Sequence, residues 1–227
     1  MSAATTVAQQ GFAILPRVLS SSETLRLIDD IDQSTLRRSK AGIRHALCHP
    51  SIANLARDPR LLELAREIVG NEALPFRATL FDKSPQTNWL VVWHQDTALP
   101  LCHRLDTPGW GPWSVKDGII YAHAPSSALS QVVAMRVHLD NCTTRNGPLR
   151  VLPRTHSQGV LTDDEIERFA AKIPPADCIV PQGGVLAMRP LLIHSSSKSQ
   201  SEESRRVLHI EYAASKKIDS NLELAIA

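Results

Sequence analysis

Beyond Pro75 the chain is a succession of short runs rich in β-branched and aromatic residues, and this succession limits the possible folds more than any other feature. Turn sequences such as Asn146-Gly147-Pro148 and Gln182-Gly183-Gly184 separate the runs. Many short strands between turns are typical of an antiparallel β-sandwich or barrel. The predicted strands lie at 77–81, 89–93, 131–139, 149–152, 178–180, 185–188 and 207–212.

The first third of the chain has helical signals instead. Serines at 20–22 offer N-cap residues before an apolar pattern of helical spacing, and Asp58-Pro59 begins a second helix. Helices followed by spaced strands predict a helical layer packed on a β core. We therefore expect a mainly β fold with N-terminal helices, in a single domain over 1–227, with the helical layer at 1–72 and the β core at 73–215.

Residues 101–127 interrupt the strand pattern. They contain several prolines and glycines and have little periodicity, so we expect a long loop that acts as a lid or binding loop. Two tryptophans in this segment, Trp110 and Trp113, either line a substrate pocket or anchor the loop on the core, and the sequence leaves both readings open.

Composition excludes several classes of function. The chain has 25 Lys and Arg against 23 Asp and Glu, so no basic excess supports binding to nucleic acid. No apolar run reaches the ~18 residues of a membrane span, and residues 1–10 lack the features of a signal peptide. Four widely spaced cysteines fit reduced thiols in a cytoplasmic protein. We expect a small-molecule substrate, and the sequence carries no signal for the oligomeric state.

Two His-x-Asp tripeptides are candidate metal ligands: His94-Gln95-Asp96 and His138-Leu139-Asp140. Residues i and i+2 of a strand face the same side, so either pair can offer an imidazole and a carboxylate to one metal. Two histidines and one carboxylate with open positions are typical of non-haem Fe(II) oxygenases. We favour the first pair because it ends a strand and enters the long loop. The second pair fits a mid-strand histidine beside a turn-capping aspartate.

A third ligand should come from the end of a late strand, and His194 meets this description. Arg205 follows 11 residues later and begins the last predicted strand. A hairpin here would bring its guanidinium near the metal, where it could pair with the far carboxylate of a chelating co-substrate. Arg206 competes for this role, but adjacent strand residues face opposite sides, so one of the two points inward.

These motifs resemble the phytanoyl-CoA dioxygenase family of Fe(II)/2-oxoglutarate-dependent oxygenases. The resemblance covers roughly residues 75–213 and implies a double-stranded β-helix (jelly-roll) core. It implies that His94, Asp96 and His194 bind Fe(II) and that Arg205 binds the C5 carboxylate of 2-oxoglutarate. The matching motifs are Phe81-Asp82-Lys83-Ser84-Pro85, Trp93-His94-Gln95-Asp96, residues 146–153, and His194 followed by Arg205; residues 111–118 are similar to a bacterial subgroup whose substrates are unassigned.

The resemblance also implies lesser roles at the co-substrate. Ser196 matches a hydroxyl that supports the same carboxylate, Lys83 matches a lysine near the co-substrate, and Arg136 matches a contact on the central strand. Asn88 is expected in the pocket because it lies six residues before His94, on the same face of a continuous strand. Arg154 departs from the family, which usually has glycine there, so we expect the left-handed turn to be lost and leave the position of His156 open.

The predicted activity is therefore hydroxylation of an aliphatic C–H of a small molecule, using Fe(II), 2-oxoglutarate and O2 and releasing succinate and CO2. The presence of Asp96 favours hydroxylation over halogenation, because related halogenases have Gly or Ala at that position; desaturation and epimerisation stay open. Two alternatives from other classes are a metal-binding jelly-roll module without oxygenase activity and a zinc hydrolase that uses the same three ligands.

Overall fold

The computed structural model of the protein describes residues 1–34 and 42–227. The helices begin where the sequence predicts: Ser20 and Glu23 form a capping box ahead of the second helix, and Asp58 caps the fourth. The sequence pattern missed the first, third and fifth helices. The helices are α1 (Ala3–Gln10), α2 (Ser21–Asp32), α3 (Pro50–Ala56), α4 (Pro59–Val69), α5 (Ser126–Leu129) and α6 (Asp163–Lys172).

Ten of the strands form the two antiparallel sheets of the core. The larger has six strands in the order β1-β11-β8-β13-β3-β2, and the smaller has four in the order β10-β9-β12-β4. This is the jelly-roll core that the sequence predicts. The strands are β1 (Phe12–Leu15), β2 (Gly42–Ile43), β3 (Leu74–Lys83), β4 (Val91–His94), β5 (Ala98–Leu101), β6 (Trp113–Lys116), β7 (Ile119–His123), β8 (Val132–His138), β9 (Leu149–Val151), β10 (Ala176–Cys178), β11 (Val185–Met188), β12 (His194–Ser196), β13 (Arg205–Ala213), β14 (Lys217–Asp219) and β15 (Leu222–Glu223).

The two faces of the large sheet have different partners. Along β13, Leu208, Ile210 and Tyr212 face outward and pack in one apolar cluster with the buried residues of α1, α2 and α4. The alternate residues of β13 point between the two sheets. This period-2 alternation explains why the interior carries the chemistry while the outer face of the sheet is apolar. The 1–72 layer is not purely helical, however, because β1 and β2 pair with the edges of the same sheet.

The expected loop at 101–127 holds over residues 102–112, but residues 113–123 form a β-hairpin instead. Strands β5, β7 and β6 form a separate three-stranded antiparallel sheet. The β6–β7 turn is the two residues Asp117 and Gly118, both with positive φ (49° and 82°), which match the right-handed twist of a hairpin. Trp110 is buried and donates a hydrogen bond to Asp219, 2.9 Å away, so it anchors this segment.

The left-handed turn expected to be lost at Arg154 is kept. Arg154 has φ 70° and begins a 3₁₀ turn that carries His156. The imidazole of His156 contacts the carbonyl of Ala8 at 3.2 Å, so the structure places it against α1. Within the described ranges, no helix is long and apolar enough to cross a bilayer.

Candidate active site

Hydrogen-bonded strands of the smaller sheet bring the two histidines together. His94 ends β4, His194 begins β12, and they lie directly opposite each other, with ring centroids 4.2 Å apart. The backbone N–H of Asp96 donates to the carbonyl of Pro190, which fixes the carboxylate below the pair. Its oxygens lie 3.6 Å from His94 Nε2 and 3.5 Å from His194 Nε2. Within residues 1–34 and 42–227 these three side chains form the only cluster that could hold a metal ion.

The Nε2 atoms of the two histidines point to the same place, because backbone carbonyls hold the Nδ1 atoms. Nδ1 of His94 lies 2.9 Å from the carbonyl of Val92, and Nδ1 of His194 lies 2.8 Å from that of Leu192. A carbonyl only accepts, so each Nδ1 carries the proton and each Nε2 presents its lone pair to Asp96. Backbone partners of this kind fix the tautomer and ring orientation of metal-binding histidines.

The protonation equilibria of His194 and Asp96 favour the form that binds a metal. Burial lowers the pKa of His194 to about 4, so its ring is neutral at neutral pH. Burial also opposes the charge on Asp96, but the two histidines outweigh it and hold the pKa of the carboxyl well below its usual range. Burial lowers the pKa of His94 as well, but the adjacent carboxylate of Asp96 prevails and the pKa is raised. A divalent cation would displace that proton, since only neutral imidazole binds metal.

A cavity of about 270 Å³ opens beside the three side chains. We call one part of it the cationic end, formed by Lys83, Arg136, Ser196 and Arg205. Strands β3, β8 and β13 are neighbours in the large sheet and carry the three cations on their inner faces, and Arg205 lies directly opposite Lys83. Ser196 is two residues beyond His194 on β12, so one strand carries both a residue of the metal cluster and a residue of the cationic end on the same face.

The three cations of this end are buried, and no carboxylate of the described residues hydrogen-bonds to them. Lys83 donates to the hydroxyl of Ser196, Arg136 lies 3.0 Å from His209 Nδ1, and Arg205 donates through Nε to the carbonyl of Asn146. Burial and the charges of the two arginines lower the pKa of Lys83 to about 7, and burial and Arg205 lower that of Arg136 to about 10. Three mutually repelling buried cations are costly unless an anion joins them.

Arg205 also has an unused donor. Its Nη1 atom is shielded from solvent and lacks a hydrogen-bond partner within the described part of the chain. Such an orphaned donor costs ~1–3 kcal/mol. A dicarboxylate that chelates a metal at His94 and His194 would supply an acceptor here, so the residues present fit both Fe(II) and 2-oxoglutarate.

Arg206 faces the opposite side of β13, as alternation predicts. It makes a two-pronged ion pair with Asp140, at 2.9 Å, and reaches Asp32 at 3.1 Å. Asp140 therefore holds an arginine on the outside of the sheet. Its neighbour His138 is buried on β8, and neither ring nitrogen has a hydrogen-bond partner within the described residues. The second His-x-Asp motif does not form a metal cluster.

The structure does not place Asn88 in the cavity. Its side-chain amide is used by the main chain of Ser199, accepting from the N–H at 2.7 Å and donating to the carbonyl at 2.8 Å. The expectation rested on a continuous strand, but β4 begins only at Val91, so the alternation does not reach back to this residue. Trp89 lines the cavity instead.

The residues that line the other part of the cavity were not predicted from the sequence. Arg77 and Glu211 face each other across β3 and β13 and form a buried ion pair there. We call this part, with the rim beside it, the outer end; it is lined by Arg44, His45, Arg77, Lys116, Tyr121 and Glu211. These residues come from four separate stretches of chain. The Asp117-Gly118 turn, which predicts a hairpin of β6 and β7, is the one local sequence signal that could have indicated the position of any of them.

Comparison with known proteins agrees with this geometry. L-proline trans-4-hydroxylase from Streptomyces griseoviridis is 26% identical over 243 residues, which covers 90% of this chain and 82% of that protein. Ectoine dioxygenase from Bordetella bronchiseptica is 26% identical over 177 residues, which covers 70% of this chain and 50% of that protein, so the match spans half of that relative's length.

A solved structure shows the shared fold. HygX from Streptomyces hygroscopicus, solved with nickel and 2-oxoglutarate bound, superposes with a TM-score of 0.66 at 19% identity, covering 91% of this chain and 84% of that one. The sequence model of the phytanoyl-CoA dioxygenase (PhyH) family matches residues 7–207, most of the chain. The chain therefore belongs to the phytanoyl-CoA dioxygenase family of Fe(II)- and 2-oxoglutarate-dependent oxygenases.

Proposed function

We propose that this protein hydroxylates an aliphatic C–H of a small molecule, with Fe(II) bound by His94, Asp96 and His194 and 2-oxoglutarate bound at the cationic end. One observation carries the proposal: a cluster of two imidazoles and one carboxylate adjoins three buried cations that have no carboxylate partner in the described chain. A divalent cation and a dicarboxylate are the ligands that satisfy both groups at once.

Each residue has a distinct task in this proposal. The Nε2 atoms of His94 and His194 and the carboxylate of Asp96 would bind Fe(II), a ligand set that leaves positions free for the co-substrate and O2. Arg205 binds the far carboxylate, and Lys83 and Ser196 support the same group. Held by these residues, Fe(II) and 2-oxoglutarate would supply the O2-dependent conversion of a substrate C–H to C–OH, coupled to conversion of 2-oxoglutarate to succinate and CO2.

Positioning is the larger contribution of the protein itself. The ligands and the cations lie on paired strands of a packed sandwich, so their relative positions are fixed before substrate binds. Apolar side chains at the cationic end, including Phe81, Trp89 and Leu149, line the wall and exclude water from the buried carboxylate. A dry site strengthens the interaction of Arg205 with that carboxylate.

Hydroxylation is the favoured outcome for two reasons. Asp96 keeps the third ligand position filled, so no halide can take it. The relatives named above are a hydroxylase and a dioxygenase of small molecules.

The test is spectroscopic and chemical. Addition of 2-oxoglutarate to the anaerobic Fe(II) protein should produce the visible metal-to-ligand charge-transfer band of a chelate, and admission of O2 with ascorbate should yield succinate. A metal-binding module without oxygenase activity would bind Fe(II) and give neither signal. A zinc hydrolase would be active with zinc and without 2-oxoglutarate. Either result would reject the proposal.

A further inference from the structure

The outer end of the cavity is the feature left unexplained by the metal and the co-substrate. Tyr121 lines it and lies within cation–π distance of two cations: the Arg77 guanidinium is 5.8 Å from the ring centroid and the Lys116 ammonium 5.2 Å. The imidazole of His45 lies 6.5 Å away, centroid to centroid, and Arg44 adjoins it at the rim. The outer end is thus a polar, mainly basic surface in the same cavity as His94, Asp96 and His194.

The charge of the whole cavity is unbalanced. Its lining contains six cationic side chains and two carboxylates. Fe(II) and the 2-oxoglutarate dianion cancel each other, so loading the site leaves the excess unchanged. Glu211 is fully engaged by Arg77 through both oxygens, and Asp96 belongs to the metal. The remaining excess at the outer end favours an anion as the third occupant of the cavity.

His45 shows that donors at this end are poised for a ligand. It has φ 54°, a left-handed conformation that is uncommon for a residue other than glycine and is often found at ligand sites. Both of its ring nitrogens are shielded from solvent without a hydrogen-bond partner in the described chain. The nearest acid, Asp117, lies 3.7 Å from Nε2, and the same carboxylate lies 3.9 Å from Arg44; both distances are too long for a hydrogen bond.

We propose that Arg44, His45 and Tyr121 form a recognition site for the carboxylate of the substrate, so that this enzyme acts on small organic acids. The inference rests on the proposed function, because it assigns the third occupant of a cavity whose other two are Fe(II) and 2-oxoglutarate. A carboxylate at this site would accept hydrogen bonds from the imidazole and the guanidinium and would hold the rest of the molecule toward the metal.

The surroundings supply the remaining donor and limit the size of the ligand. Burial raises the pKa of Tyr121, so its phenol stays protonated and can donate to an anion. The cavity of about 270 Å³ must hold 2-oxoglutarate as well as the substrate. A small acid fits this space.

The experiment uses trifluoroacetate as a carboxylate probe and trifluoroacetamide as its neutral match. Each probe is titrated at low ionic strength into the anaerobic Fe(II) protein, to which just enough 2-oxoglutarate has been added to saturate it. Binding is followed by the broadening of the ¹⁹F resonance of the probe, which the paramagnetic metal causes at short distance. We expect saturable binding of trifluoroacetate only. Arg44→Ala and His45→Asn should each weaken it about 5- to 10-fold, which corresponds to ~1–1.4 kcal/mol. Asparagine is chosen at 45 because it tolerates positive φ.

Two control measurements accompany the titration. The charge-transfer titration of 2-oxoglutarate should be unchanged in both variants, which shows that they are folded and that the cationic end is intact. Arg57→Ala, at an exposed arginine outside the cavity, is the matched control and should bind trifluoroacetate as the unaltered protein does. Equal binding of the two probes, no saturable binding of trifluoroacetate, or variants with unaltered affinity would each overturn the proposal. Absence of the charge-transfer band in the unaltered protein would instead reject the proposed function.

Discussion

Replacement of Arg205 by alanine should weaken 2-oxoglutarate binding by a large and specific factor. The guanidinium is 3% exposed, and its one described protein partner is the carbonyl of Asn146, so Nη1 is left for the ligand. Truncating one member of a buried charged pair costs ~2–5 kcal/mol. Because Lys83 and Arg136 remain nearby, we expect the lower part of this range, about 2–3.5 kcal/mol, or roughly 30- to 300-fold in Kd.

The assay is a titration of 2-oxoglutarate into the anaerobic Fe(II) protein, followed through the charge-transfer band. Arg205→Lys keeps the charge but loses the planar pair of donors, so its affinity should be intermediate. Arg206→Ala is the matched control, since that side chain pairs with Asp140 and Asp32 on the other face of β13. Large weakening in Arg206→Ala together with normal binding in Arg205→Ala would refute the assignment.

Three further predictions concern other parts of the site. His94→Ala should abolish stoichiometric Fe(II) binding, measured by metal analysis after desalting, while His138→Ala should retain it; the reverse result would mean that the wrong His-x-Asp motif was chosen. Since the pKa of Lys83 is lowered to about 7, the free protein loses this charge as pH rises through 7, so 2-oxoglutarate affinity should fall with rising pH. Calorimetry in buffers of different ionisation enthalpy should show proton uptake on binding that disappears in Lys83→Met; persistence of the uptake would contradict this. Arg154→Gly should raise the free energy of unfolding by about 0.5–1 kcal/mol in urea titrations, because relief of left-handed strain exceeds the added entropy of glycine; a destabilised variant would show that no strain is stored there.

The region 101–127 shows how a local signal can be overlooked. Its prolines and glycines suggested a loop, yet Asp117-Gly118 between short apolar runs is a strong hairpin signal. The strands on either side are only four and five residues long, and the polar residues of β6 mask their alternation. The hairpin matters for function because it carries Lys116 and Tyr121 into the outer end of the cavity.

Alternation was reliable where a strand was continuous and misleading where it was not. It correctly separated Arg205 from Arg206, because β13 runs without interruption through both. It failed for Asn88, because the prediction assumed one continuous strand from Asn88 to His94. The strand β4 begins only at Val91, so the alternation does not extend to Asn88. The difference lies in hydrogen bonding to neighbouring strands, which fixes side-chain direction and cannot be read from one segment alone.

The sequence by itself predicted a helical layer on a β-sandwich or barrel and the residues of the proposed metal site, since strand periodicity, capping residues and a spaced His-x-Asp motif are local in the chain. The jelly-roll class followed from the resemblance of those motifs to a known family. The tertiary structure alone decided which groups share a cavity. Four residues of the outer end lie far apart in sequence: His45, Arg77, Tyr121 and Glu211. They line one cavity only because the fold brings β3, β13 and the three-stranded sheet of β5, β6 and β7 together. Burial then sets their chemistry, because it removes the water that would otherwise screen their charges and satisfy their donors.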